Sequence, residues 1–371
     1  SKGHEVAVFA MQHPDNQPSD YAAYFPSEID YTKRNLRNVK EQLFRPVCSR
    51  EVKRKFRDLL NDFNPDILHV HNIHSQLSPL IVKEAHKRNI PVVWTLHDYK
   101  LLCPRYDCQR NDKPCELCFT NKKYVVRYRC VKDSLGASLL AYTEARYWNR
   151  EKLGRSTSHF ICPSEFIREK MISGGFDENN LSTINNFIVD DQYDLKIQNN
   201  ENYYCYVGRL SKEKGVETLL KAARDLPEHH LIIVGTGPLY DDLIKQYNYP
   251  HIEFCGHKDK NEVYELLSKA MFSVMPSECY ENNPLAVIES LCLGTPVIGA
   301  DTGGIPELIT GDINGLLFES GNQSDLLDKI KHFTQNGTDK LSAKDIAKQA
   351  KKRFSSQIYY DKLLKVYESL Q

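Results

Sequence analysis

Short apolar runs rich in β-branched and aromatic residues alternate with helical stretches along nearly the whole chain of 371 residues. This alternation constrains the fold more than any other feature. The runs at 4–9, 66–70, 91–95, 159–162 and 182–184 read as strands, as do 203–207, 231–234, 252–254, 272–275, 296–299 and 316–318. Helical patterns at 32–63, 77–87, 134–153, 216–223, 262–270 and 323–333 lie between them. Strands separated by helices are βαβ units, which build parallel sheets covered on both faces. The strand count and the length suit two doubly wound α/β domains, each with its own core.

Residues 190–201 (DDQYDLKIQNNE) are polar, lack periodicity and precede a fresh strand, so the predicted units are 1–189 and 190–354. A final helix at 355–371 carries Ile358, Leu363, Leu364, Val366 and Tyr367, an apolar stripe that needs a surface to pack on. The opening SKGHEV reads as a helix end, a glycine stop and a second-type strand. The strand-loop-helix unit that normally opens such a domain is absent, and the expectation is a chain trimmed at its N-terminus.

Lys+Arg and Asp+Glu cancel at 49 each, but not locally. Residues 1–187 hold 29 cations against 22 acids, and 188–371 hold 20 against 27, so the two halves should meet different partners. Ten Lys/Arg against three acids lie in 32–60, and eight against three in 105–132. A solvated face explains any one of these residues. Together they suit an anionic membrane surface or a lipid-diphosphate acceptor. No nucleic-acid recognition motif accompanies the charge. No apolar run approaches the ~18 residues of a membrane span, no leader pattern opens the chain, and eleven cysteines without a disulfide framework suit a reducing compartment. The expected location is the cytoplasm, at most peripheral on the inner face of the membrane.

Residues 276–308 (PSECYENNPLAVIESLCLGTPVIGADTGGIPEL) are the most informative segment. A strand ends at Met275 and a polar loop follows. Pro284 reads as the first helical residue with Asn283 as its cap, and Gly294 as the stop. Glu281 then lies at the helix N-terminus and Glu289 in the second turn. Free N–H groups there suit a phosphate, and two carboxylates suit sugar hydroxyls. YVGRLSKEKG follows another strand, with Gly208 permitting close approach and Arg209 and Lys214 flanking the turn, where doubly wound sheets bind anions.

These segments, with VGTGP, the E-x7-E of Glu281 to Glu289, GTPVIG and TGGIPELI, resemble the family 4 retaining glycosyltransferases of the two-domain GT-B architecture. The likeness extends to HEVAV, PDILHVHN, IPVVWTLHD and ICPSEF, covering nearly all the chain. It implies a nucleotide-sugar donor (UDP-, GDP- or ADP-hexose) held by the second domain and a glycan or lipid-linked acceptor on the first. Glu289 would hold the ribose and Glu281 the hexose. The backbone of Asn282, Asn283, Pro284 and Leu285 would meet sugar and phosphate, and Arg209 and Lys214 would neutralise the diphosphate. Gly235, Gly256 and His257 would border the base, and His97 would reach the donor sugar from the first domain. The family needs no metal for catalysis. The loop here reads ENNP where EGFG is commoner, which would bear on donor choice.

Cys103, Cys108, Cys115, Cys118 and Cys130 crowd one irregular stretch, and Cys115-x2-Cys118 has zinc-knuckle spacing. Any four would complete a structural zinc site; otherwise the five are free thiols. His69, His71 and His74 read as structural or substrate-lining rather than as a metal site. Three other functions fit the sequence less well. A sugar-nucleotide epimerase of the same fold would act on donor alone. An oxidoreductase is prompted by Gly235-x-Gly237, but Tyr240 stands where a third glycine belongs. A chain that binds donor without transfer would follow from the missing N-terminal unit.

Overall fold

The computed structural model describes residues 2–29, 44–74, 76–189, 201–311, 313–336 and 342–371. The first sheet contains β1 (Leu68–Val70) and β2 (Val92–Thr95). A two-residue antiparallel ladder, β3 (Gln109–Arg110) with β4 (Lys113–Pro114), follows outside it. The sheet is completed by β5 (His159–Cys162) and β6 (Leu181–Thr183), all four strands parallel in the order β1-β2-β5-β6. The second sheet holds β7 (Tyr203–Val207), β8 (His230–Val234), β9 (Ile252–Gly256), β10 (Ser273–Met275), β11 (Val297–Ala300) and β12 (Gly315–Phe318). Its order is β12-β11-β10-β7-β8-β9, also parallel throughout.

The strand period of two divides the first sheet into two faces. Val92, Trp94, Phe160 and Cys162 enter one core with Phe56 and Val82. The alternate residues Val93 and Ile161 join Ile184 beneath Tyr359, Leu363, Val366 and Tyr367 of the last helix, Ser356–Glu368. That helix starts where the Ser355 hydroxyl accepts from the Ile358 N–H, and its apolar stripe meets the first sheet. The preceding helix, Ala343–Phe354, belongs to the second core through Ile346, Ala350 and Phe354. The chain therefore returns to the first domain at Ser355, where Ile188 and Ser355 form an isolated parallel bridge. Among the described residues no helix is long and apolar enough to cross a membrane.

Three expectations change. Residues 4–9 form no strand: Val6 and Val8 face solvent, and side chains hold the segment, Lys2 to Gln357 at 2.6 Å and His4 to Tyr360 at 2.8 Å. Apolar alternation there meets no neighbouring strand to complete a ladder. The helix predicted over 134–153 breaks in two, Leu135–Tyr147 and Arg150–Ser156, because Trp148 turns inward to donate to the Pro46 carbonyl (2.7 Å) and Asn149 caps the second piece. Of the helix predicted over 32–63, Arg50–Phe63 is present with Ser49 as its cap. Its earlier part, and the boundary expected at 190–201 up to residue 200, lie outside the described residues.

Candidate active site between the two domains

The two second-domain motifs meet at the C-terminal edge of the sheet. The Glu278 N–H donates to the Glu213 carbonyl at 2.9 Å, and a Cβ on Gly215 (φ 65°) would stand 1.8 Å from the Pro276 carbonyl oxygen. Glu281 Oε1 accepts from Lys214 Nζ at 2.6 Å and from the Ser277 hydroxyl at 2.7 Å. Burial pulls the Lys214 ammonium down, but the Glu281 charge and hydrogen bond outweigh it and hold the pKa above its ordinary value. Lys214 is thus paired rather than standing free. Arg209 is exposed, with its carbonyl taken by the Tyr206 hydroxyl (2.8 Å).

The helix Leu285–Cys292 begins one residue later than predicted. Pro284 occupies the cap position without a side-chain cap, and Asn283 points elsewhere. The first N–H groups of such a helix have no intrahelical acceptor, and Leu285 lies half-exposed at its start. Glu289 sits in the helix and accepts from the Tyr264 hydroxyl at 3.0 Å. At the neighbouring strand ends, Gly235 (φ 132°) lies so close to Gly208 that a Cβ would be 1.9 Å from its carbonyl oxygen. The Gly235 N–H donates to Gly256 at 2.7 Å, and His257 is exposed just beyond.

The loop 276–284 is tied across to the first domain. Asn282 Nδ2 donates to the Leu96 carbonyl at 2.8 Å, next to His97, while its Oδ1 accepts from the Ser164 hydroxyl at 3.1 Å. Asn283 exchanges two 2.8 Å bonds with Asn186, accepting its N–H and its side-chain amide. Both asparagines of this loop are interdomain ties. Gly304 donates its N–H to the Glu281 carbonyl at 2.7 Å. Three residues on, the Glu307 carboxylate accepts from the N–H groups of Glu165 (2.8 Å) and Phe166 (2.6 Å). These open the first-domain helix Glu165–Ser173, so an acid of one domain caps a helix of the other. Sequence reasoning missed Ser164, Asn186 and Glu307 as functional residues. Ser164 before an apolar run was legible as a cap; the partners of the other two were not.

His97 follows β2, and its Nε2 lies 2.8 Å from Nδ1 of His71, with the rings stacked at 5.1 Å. His71 stacks in turn on His69 at 4.5 Å. Burial lowers the pKa of His97, lowers His71 to about 4 with the help of neighbouring His97, and lowers His69 to about 3.

The cysteine-rich stretch lies over the same loop. Glu116 accepts from the Tyr280 hydroxyl at 2.9 Å and pairs with Lys170 at 2.6 Å, and Lys212 pairs with Asp112 at 2.7 Å. Cys103, Cys108 and Cys118 are buried and Cys115 and Cys130 half-buried, all as free thiols. Hydrogen bonds from Cys108 and Cys118 hold the Cys103 thiol well below its ordinary pKa, and the same contacts push Cys108 and Cys118 up. Three thiols therefore meet, but among the described residues no group of three or more His, Cys, Asp or Glu could hold a metal ion.

The chain resembles known proteins over its full length. The profile of Glycosyltransferase Family 4 matches residues 1–192, and that of Glycosyl transferases group 1 matches residues 190–353. An uncharacterized glycosyltransferase of Methanocaldococcus jannaschii is 29% identical over 221 residues, 58% of this chain and 60% of that protein. The chain thus spans less than two thirds of the first curated relatives, which are matched over 60%, 38% and 33% of their lengths. The N-acetyl-alpha-D-glucosaminyl L-malate synthase of Bacillus anthracis is 26% identical, covering 100% of this chain and 89% of the synthase. Anabaena HepE, solved in complex with UDP-glucose, shares the fold with a TM-score of 0.65 at 18% identity, covering 93% of this chain and 86% of HepE. Its fold is GT-B, and the chain belongs to Glycosyltransferase Family 4.

Proposed function

We propose that the protein transfers a hexose from a nucleoside-diphosphate sugar to a glycan or lipid-linked acceptor with retention of anomeric configuration. The observation that carries this reading is the Lys214–Glu281 pair at a glycine-lined sheet edge, tied through Asn282 to the residue beside His97. Glu281 is an acceptor-only carboxylate that a sugar hydroxyl can join. Glu289 takes the ribose, and the backbone from Asn282 to Leu285 meets sugar and phosphate. Gly208, Gly235, Gly256 and His257 border the nucleotide. Arg209 and Lys214 offset the charge that grows on the leaving diphosphate, so catalysis needs no metal. His97 closes the sugar site from the first domain. HepE, whose complex holds UDP-glucose, supports a UDP-sugar as the first donor to try.

The first domain also carries a cavity of about 620 Å³ lined by Arg50, Lys53, Arg54, Arg57, Lys87 and Arg88, against Asp58 and Glu84. This cluster supports peripheral contact with anionic lipid, the source of a lipid-linked acceptor. Thermal shift with UDP-, GDP- and ADP-glucose tests the donor, since a ligand of the folded state raises the melting temperature. A rise with none of the three overturns the reading. NMR of the transferred sugar tests retention: an inverted anomer overturns it.

A further inference from the structure

The three imidazoles behind the site form one connected stack. Tyr367, on the last helix, places its hydroxyl 2.6 Å from His69 Nδ1, and Thr95 places its own 2.7 Å from His69 Nε2. Both nitrogens of His69 are thereby engaged, and its ring is set edge-on to Tyr367 at 89°. His71 lies on that ring at 4.5 Å and 27°, and presents Nδ1 to His97 Nε2 at 2.8 Å. A neutral imidazole has one N–H and one bare nitrogen. With both rings neutral at neutral pH, the His71–His97 contact contains a single hydrogen. Whichever ring supplies it, the remaining nitrogen of His97, Nδ1, is fixed as the opposite kind: N–H if His71 donates, bare if His97 donates.

We propose that His71 is a positioning residue that holds His97 in one neutral tautomer, with its own ring set by His69 and, through His69, by Tyr367 of the last helix. The consequence for catalysis rests on the reading above that His97 stands at the donor sugar; the tautomer itself does not. A hydroxyl of the sugar would then meet either a donor or an acceptor, not an average of the two. A proton added to one ring keeps this contact and fixes its direction, the cationic ring donating to the bare nitrogen of the neutral one; only protons on both would set two N–H groups against each other across 2.8 Å.

The test is selective 15N-histidine labelling of the full chain, with two-bond 1H–15N correlations at pH 7.5 reading each ring's tautomer. The wild type should show His97 as one neutral tautomer. His71→Phe keeps a ring on His69 but removes the nitrogen, and should turn His97 into an averaged pair of tautomers while His229 and His251 keep their shifts. His71→Asn returns an amide near the Nδ1 position and should restore a single tautomer. Tyr367→Phe should move His69 first and raise the minor form of His97. An unchanged His97 in His71→Phe, or a mixture in the wild type, overturns the proposal. Release of nucleoside diphosphate from whichever of UDP-, GDP- or ADP-glucose raises the melting temperature separates the two readings. His71→Phe should lower kcat about tenfold, with KM within twofold. A changed tautomer with unchanged kcat leaves the stack standing and removes His97 from the sugar site.

Discussion

Replacing Glu307 with alanine deletes the carboxylate that receives the N–H groups of Glu165 and Phe166, at 2.8 and 2.6 Å. Hydrogen bonds to a charged acceptor each contribute roughly 1.5–3 kcal/mol. Glu307 is half-buried, so the lower end applies, about 3 kcal/mol for the pair. Its charge at a helix N-terminus adds about 0.3–1 kcal/mol. A loss of about 3 kcal/mol corresponds to roughly 150-fold in an equilibrium constant. Hydrogen exchange of a peptide covering 163–170 reads it: protection of those two amides should fall on the order of a hundredfold in Glu307→Ala. Glu307→Gln keeps one acceptor oxygen without the charge and should lose on the order of tenfold. A peptide covering 203–207, within β7, should keep its protection in both variants. Protection of Glu165 and Phe166 within twofold of wild type in Glu307→Ala would refute the interdomain cap.

Lys214→Met leaves a Glu281 side chain that is 12% exposed without its cation, and should cost about 3 kcal/mol in urea unfolding together with the thermal shift by donor. Retained shift would remove Lys214 from donor binding. Gly303→Ala puts a Cβ 2.3 Å from the Glu281 carbonyl oxygen at φ 60°, so it should cost more than about 2 kcal/mol. Gly154→Ala meets nothing within 4 Å inside the helix Arg150–Ser156 and should be stabilising by about 0.5–1 kcal/mol. Equal urea midpoints would contradict the contrast. Burial, with Lys100 nearby, holds His74 at about 3, and burial with the neighbouring histidines holds His69 at about 3. The unfolded chain takes up these protons near pH 6.5 and the folded one does not. Stability should therefore fall as pH drops from 6.5 toward 3, and His74→Leu should flatten that slope by about one proton. A urea midpoint unchanged between pH 7.5 and 5 would count against it.

The strands of the second sheet were legible because they are buried on both faces: YYCYV and HLIIV have no polar face to confuse the period. The loop-helix unit around Glu281 and Glu289 was legible for a different reason, since proline, glycine and acids recur there at spacings set by backbone geometry. What could not be read were contacts whose two ends lie far apart. Asn282 finds the Leu96 carbonyl across 186 residues, and Glu307 finds two N–H groups about 140 residues away. Backbone groups carry no sequence signature, so nothing at positions 282 and 283 announced that these asparagines tie the loop to the first domain. The run at 4–9 misled in the opposite direction, because a strand pattern is only half of a strand.

The last helix covers Val93, Ile161 and Ile184, residues that precede it by the whole second domain. During synthesis the first domain is therefore complete in sequence long before it is complete in structure. One face of its sheet waits, uncovered, while the whole second domain emerges and folds. Leaving such aliphatic side chains in water forgoes about 1.5–3 kcal/mol each. A released chain ending at residue 355 would carry a folded second half and a first half exposed to chaperones, and a fragment cut at residue 189 would inherit that exposure permanently.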